Sequence, residues 1–277
     1  MSHDPRITLA RPDLAARPLE GVTAAGAYAD PRPMTAVVPA APLRAAPDAE
    51  AEQVDQVLFG ETFEVLEEAG GFCWGQARRD GYVGYVARAD LGALAPAPTH
   101  RVSAIRTYAF KEASIKSRAL GPYSLGSLIT VETREGRFVK AANSGWFVEA
   151  HLSPIGVFED DVVAVAERYL GAPYLWGGRE SLGLDCSGLV QQALLACGRA
   201  CPRDTDQQAL MGRAMQAQGL ARGDLVFWRG HVAILLDERR ILHANAHHMA
   251  VAIEPLAEAV ARIGATGTGQ PTAYRRL

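Results

Sequence analysis

From residue 160 to the C-terminus, apolar positions recur first at helical and then at strand spacing. Val162, Val163, Val165, Ala166, Tyr169 and Leu170 form one face of a predicted helix that ends at Gly171. Leu189, Val190, Ala193, Leu194 and Cys197 form the face of a second, stopped by Gly198. A third, short helix is expected near residues 206–212. Strand-like apolar runs follow at 224–228, 231–236, 240–244 and 249–253; Pro255 opens another helix, and 272–276 reads as a last strand. Helices first and an antiparallel sheet afterwards predict an α+β domain. Between about residues 51 and 155, short β-branched and aromatic runs such as Thr62-Phe63-Glu64-Val65-Leu66 alternate with Gly and charged turns, which predicts all-β structure. The first 50 residues hold 8 of the 16 prolines and 13 alanines and follow neither period. They read as an extended arm packed on the body rather than a disordered tail, because Ile7, Leu9, Leu14 and Leu19 give it something to bury.

The all-β region repeats itself. Gly60, Val65, Gly70 and Phe72 recur 66 positions later as Gly126, Val131, Gly136 and Phe138. Residues 84–91 recur as 145–152, now 61 positions on, and a five-residue deletion in one hairpin explains the change of offset. A Gly-aromatic pair ending in a short turn and Leu resembles bacterial SH3-like domains. The resemblance implies an arm at 1–35, a first small barrel at 36–97, a second at 98–156, and the α+β domain at 157–277.

Composition narrows the function. With 277 residues, 48% hydrophobic and 21% charged, the chain falls outside the disordered classes, and its length suits two or three domains. A net charge of −3 offers no global basic field for nucleic acid or an anionic membrane. Four cysteines make no disulfide framework. No apolar run approaches the roughly 18 residues of a membrane span. Arg6, Arg11, Asp13, Arg17 and Glu20 interrupt the N-terminal stretch, which lacks a secretory apolar segment. The expectation is a cytoplasmic monomer without a nucleic-acid or membrane partner.

Three histidine and cysteine positions carry the chemistry. Cys186, in Leu184-Asp185-Cys186-Ser187-Gly188, stands where the second helix begins. A helix start offers unpaired N–H groups and the positive end of the dipole, which favour a thiolate and an oxyanion. His231 opens a strand after Gly230 and is either a base for Cys186 or a half-exposed turn histidine. His243 lies 12 residues on, across a hairpin, and either sets the tautomer of His231 or is a core histidine bonded to a carbonyl.

The order of cysteine, strand histidine and polar orienter on the next strand resembles papain-type chemistry. Residues 160–277 are similar to the NlpC-type family of papain-like cysteine peptidases. The resemblance rests on Pro173-Tyr174-Leu175-Trp176-Gly177-Gly178, Asp185-Cys186-Ser187-Gly188, Pro202-Arg203-Asp204-Thr205, residues 223–228, Gly230-His231-Val232-Ala233-Ile234 and Ile241-Leu242-His243-Ala244. With the SH3-like repeats it extends to the subgroup of γ-D-glutamyl-L-diamino-acid endopeptidases. It implies a multidomain chain of two SH3-like barrels and an α+β papain-like domain. Cys186 is then the nucleophile, His231 the base and His243 the orienter. The implied substrate is a murein peptide with a free N-terminal L-Ala, cut between γ-D-Glu and the diamino acid, in wall-peptide recycling. Asp185, Tyr174 and Ser187 would hold the substrate ammonium, and Asp204 and Thr205 match further binding positions. Asp185 and Asp204 are equally read as helix N-caps. Glu61 and Tyr82 are the expected contributions of the first SH3-like domain, with Tyr85 read as a core position.

No cofactor is expected. His243, His247 and His248 lack the spacing and the second cysteine pair of a zinc site. Cys197 reads as a helix core residue and Cys201 as a loop thiol; Trp176 and Trp228 read as packing residues. Two other activities remain consistent with the same residues: acyl or amide transfer on the same triad, and a non-catalytic module that binds wall peptides.

Overall fold

Met34, Ala36, Leu43, Val57, Phe63, Val65, Val86 and Leu91 take alternate strand positions and gather into one buried core. The computed structural model describes residues 3–277, which divide into two units that meet at Val157 and Phe158. In the first unit this core lines a seven-stranded antiparallel sheet. Its spatial order is Gln53–Leu58, Ala40–Arg44, Val83–Ala87, Phe72–Ala77, Thr62–Ala69, Arg32–Ala36 and Leu91–Ala93. The sheet reaches back to Arg32, four residues before the boundary expected at 36. Pro33 hides that strand in the sequence, but Met34 and Ala36 still alternate inward at 2% and 0% exposure. The arm before it is docked. Leu9 and Ala16 pack on Trp74, and the Arg11 guanidinium lies 4.0 Å over the Trp74 ring.

Residues 98–157 form a second core around Val102, Ala109, Ile129, Val139 and Phe147. A five-stranded sheet surrounds it, ordered Ala119–Ser124, Arg106–Phe110, Trp146–Val148, Phe138–Ala141, Val131–Glu135, together with a three-stranded one. The sequence repeat has a backbone counterpart. Gly60 and Gly126 both turn with positive φ, and so do Gly70 and Gly136. The 3-10 turns Arg88–Asp90 and Glu149–His151 stand 61 residues apart, each leading into a short strand that opens with Leu91 or Leu152. Gly60 also permits a close approach: a Cβ there would lie 2.0 Å from the Leu128 carbonyl oxygen.

The second unit opens with helix α1, Val162–Glu167, capped by Asp161, whose Oδ1 accepts from the Val163 and Ala164 amides. A short ribbon, Arg179–Glu180 against Gly183–Leu184, precedes helix α2, Cys186–Ala196. Gly171 and Gly198 end the two helical stretches with φ of 80° and 73°. Helix α3, Thr205–Gln208, is one turn. A six-stranded antiparallel sheet follows, ordered Arg213–Met215, Ala273–Arg276, Leu225–Trp228, His231–Leu235, Arg240–Asn245, Ala250–Pro255. Helix α4, Leu256–Gly264, packs Ala259 and Ile263 on Val226, Trp228, Ala233, Leu235 and Ile241. Helix α2 lies against the strands His231–Leu235 and Arg240–Asn245. Its first turn is thereby brought to the histidine strands. No helix among the described residues is long and apolar enough to cross a membrane.

Candidate active site

Cys186 is the first residue of α2, and Asp185 is its N-cap, with extended backbone at φ −93° and ψ −177°. The Asp185 carboxylate is crowded with donors. Oδ1 accepts from the Gly188 amide at 2.8 Å, the Ser187 hydroxyl at 3.2 Å and Arg203 Nη1 at 2.9 Å; Oδ2 accepts from the Gly177 amide at 2.9 Å and Arg203 Nη2 at 2.6 Å. Five donors fill the roughly four lone-pair sites of a carboxylate. Arg203, 1% exposed, already pairs with the carboxylate that the sequence reading offers to a substrate ammonium. Ser187 is drawn into the same network, since Arg203 Nη1 donates to its hydroxyl at 2.9 Å. Asp185 keeps its second expected role as the cap. Glycine is required next to it, because a Cβ on Gly188 would lie 2.3 Å from the Gly178 carbonyl oxygen.

The Cys186 sulfur faces the start of the histidine strand. It lies 4.0 Å from the Gly230 carbonyl oxygen, and the Val232 and Ser187 amides donate towards it. Burial, then the Asp185 charge, push the thiol up to about 12 against these donors. His231 is pushed down to about 3, by burial first and then by His243 and Arg262. The Trp228 ring, 5.7 Å from its own, contributes to that dry setting. At neutral pH the pair therefore rests as thiol and neutral imidazole, whereas the helix start alone suggested a thiolate.

Strand register lines up the groups behind His231. Ile234 stands opposite Leu242 and Leu235 opposite Ile241, so His231 and His243 share one face in a diagonal relation. His243 stands opposite Ala252, and Glu254 is its next same-face neighbour. His231 Nε2 and His243 Nδ1 are 2.8 Å apart; His243 Nε2 and Glu254 Oε1 are 2.7 Å apart. Arg262 of α4 closes the row by donating to Glu254 Oε1. His243 is fully buried, and burial lowers its pKa. Burial alone would raise Glu254, but the His243 hydrogen bond and the charges of His243 and Arg262 bring it below the usual range.

The other expected residues are spread more widely. Tyr174 is half-buried beside the cysteine, its phenol pushed up by burial and by Cys186 and Asp185. Asp204 precedes α3 without capping it through its side chain, and Thr205 is the first residue of that helix; both are half-buried. In the first unit Glu61 is 3% exposed, takes the Leu58 amide on Oε2, and pairs with Arg79 at 2.8 Å. It lines a groove of about 430 Å³ with Gly60, Thr62, Arg78, Leu128 and Ile155. Tyr82 stands, as expected, in the hairpin connection between Phe72–Ala77 and Val83–Ala87, but its side chain is buried in the first core, while Tyr85 packs with the docked arm and accepts from Arg11. Trp176 is corrected. It is 58% exposed, beside Leu175 at 42%, whereas Trp228 is buried as expected. Arg203, Glu254 and Arg262 carried no sequence signal of their own, except that Glu254 is an acid at the end of an otherwise apolar strand.

Among the described residues, donor atoms of His243, His248 and Glu254 lie within 4.8 Å of one another. Both nitrogens of His243 are taken by His231 and Glu254, His248 Nδ1 faces Asn245 Oδ1 at 2.9 Å, and Arg262 stands beside the carboxylate. A cation there would have to displace a hydrogen bond and face the guanidinium.

Residues 171–264 match the NlpC/P60 family, and residues 43–91 match the bacterial dipeptidyl-peptidase Sh3 domain. The chain is 28% identical over 238 residues to dipeptidyl-peptidase 6 of Lysinibacillus sphaericus, covering 76% of this chain and 88% of that one. It is 27% identical over 226 residues to γ-D-glutamyl-L-lysine dipeptidyl-peptidase of Bacillus subtilis, covering 74% and 76%. The crystal structure of an NlpC/P60 family protein from Bacillus cereus aligns with a TM-score of 0.74 at 20% identity, over 88% of this chain and 99% of that one, which is a likeness of fold.

Proposed function

Because this chain belongs to the NlpC/P60 family of cysteine peptidases through residues 171–264 and carries a bacterial dipeptidyl-peptidase Sh3 domain at 43–91, we propose that it hydrolyses the bond between γ-D-Glu and the diamino acid of murein-derived peptides that begin with a free L-Ala. The relatives named for dipeptidyl-peptidase activity support the substrate class. The observation that carries the chemistry is the buried Cys186 sulfur at a helix start, against a strand whose His231 is hydrogen-bonded to His243 at 2.8 Å.

His231 takes the thiol proton as the sulfur attacks the γ-carbonyl carbon of D-Glu. First-turn N–H groups of α2, including that of Cys186, hold the developing oxyanion. The protonated His231 gives its proton to the leaving amine of the diamino acid, and a thioester with Cys186 remains. Water, activated by His231, releases L-Ala-D-Glu. We assign the ammonium of L-Ala to Tyr174, Asp204 and Thr205, with the Asp185 carboxylate held by Arg203. The test compares L-Ala-γ-D-Glu-meso-diaminopimelate with its N-acetylated form. Release of L-Ala-D-Glu from the free peptide alone is expected. Equal cleavage of both would reject the amine requirement, and transfer of the acyl group to added amines in preference to water would favour acyl transfer.

A further inference from the structure

Glu254 has no part in the steps above, yet it is an acid at 9% exposure, ion-paired to Arg262 and hydrogen-bonded to a fully buried histidine. We propose that Glu254, held by Arg262, is a positioning residue that sets the tautomers of both histidines, so that His231 Nδ1 carries the lone pair that receives the Cys186 proton. This rests on the assignment of Cys186 and His231 as nucleophile and base.

Donor and acceptor capacity fixes the direction of the hydrogen-bonded row. An ionised carboxylate only accepts hydrogen bonds, and a neutral imidazole has one N–H. His243 Nε2 must then carry the hydrogen towards Glu254 Oε1, which leaves His243 Nδ1 as an acceptor. His231 Nε2 must donate to that nitrogen across 2.8 Å, which leaves its Nδ1 bare. The row therefore has one consistent reading, and its direction is set at the Glu254 end. A neutral group at position 254 loses this control. An amide can present its NH₂ to His243 Nε2, reverse both hydrogen bonds, and put the hydrogen of His231 on the nitrogen that should receive one. During the step the S–H bond breaks, its electron pair stays on sulfur, and the proton binds His231 Nδ1. The new imidazolium is then opposed through His243 by the carboxylate, with no further proton moved.

The charged and titratable groups around this row are His231 and Cys186 at one end, and His248, Arg262 and Glu254 around His243. Burial first, and then Arg262, disfavour protonation of both rings, with His243 acting on His231 and His248 on His243, and Glu254 favours it. Removing the carboxylate charge therefore moves the acid limb of the cysteine's reactivity to lower pH.

The experiment uses the full chain. Nitrogen-15 NMR of the histidines near neutral pH is expected to show hydrogen on Nε2 and none on Nδ1 in both His231 and His243. The pH dependence of iodoacetamide alkylation is followed on the Cys186 peptide by mass spectrometry in the wild type, Glu254→Gln and Glu254→Ala. Expected in both variants are a limb displaced downward by about half a unit, a plateau at least about tenfold lower, and an unchanged melting temperature in Glu254→Gln. Hydrogen on Nδ1 of His243 in the wild type overturns the proposal. So does an unmoved limb whose rate falls only with the folded fraction. A wild type with no imidazole limb overturns this and the Cys–His chemistry together. A normal limb in a protein that cuts no murein peptide rejects only the proposed substrate.

Discussion

His231 Nε2 lies 2.8 Å from His243 Nδ1, so the nitrogen of His231 left for the cysteine is Nδ1. Removing the second ring frees the first to rotate and to take either tautomer. His243→Ala is therefore expected to lower kcat by about 10²- to 10⁴-fold with little change in KM, as for an orienting third member of a triad. Steady-state kinetics on a γ-D-Glu peptide decides it, and an unchanged kcat would make His243 a packing residue only.

Asp185 is a structural charge. Replacing one member of a buried ion pair leaves the other uncompensated and costs on the order of 3–5 kcal/mol. Asp185→Asn should lower the melting temperature markedly and loosen the start of α2, because Arg203 is 1% exposed and has lost its anion. A variant that melts like the wild type and shows only a raised KM would return the carboxylate to ammonium binding.

The parts of this site legible in the sequence are those whose geometry is local. Cys186 can be placed at a helix start because Gly198 and the apolar spacing of Leu189, Val190, Ala193 and Leu194 define the helix. His231 and His243 can be brought together because a hairpin of that length leaves little choice of register. Arg203 and Glu254 were not legible, since each acts through a partner that only tertiary packing supplies. Tyr82 and Tyr85 sit three residues apart around Gly84, where alternation alone does not say which ring turns inward. The strand at Arg32–Ala36 was hidden by Pro33, and the ribbon at Arg179–Glu180 and Gly183–Leu184 is too short for any period to show.

The histidines make stability depend on pH with a definite sign. His231 is lowered to about 3 in the folded chain, against about 6.5 when unfolded, and His243 is lowered too. Between those limits the unfolded chain binds more protons. The His231 contribution is complete above about pH 6.5 and is lost as pH falls towards 3, at about 1.4 kcal/mol per pH unit within that window, and His243 adds to it in the same direction. Urea midpoints at pH 7 and pH 5 should fall in that order. Equal midpoints would contradict the dry, neutral histidine row.

Trp176 offers an exposed aromatic face just before the Gly177 turn whose amide binds Asp185. The ring is more than half exposed, so Trp176→Ala should lower stability by no more than about 1 kcal/mol. If the ring packs on the peptide, KM rises several-fold at constant kcat. Wild-type kinetics would return it to an ordinary surface residue.

The most direct measurement incubates L-Ala-γ-D-Glu-meso-diaminopimelate with the wild-type chain and with Cys186→Ala, and follows the products by mass spectrometry. The wild type is predicted to release L-Ala-D-Glu and free diaminopimelate, while Cys186→Ala folds normally and releases neither. Turnover retained by Cys186→Ala, or an intact peptide with the folded wild type, would contradict a cysteine peptidase acting on this bond.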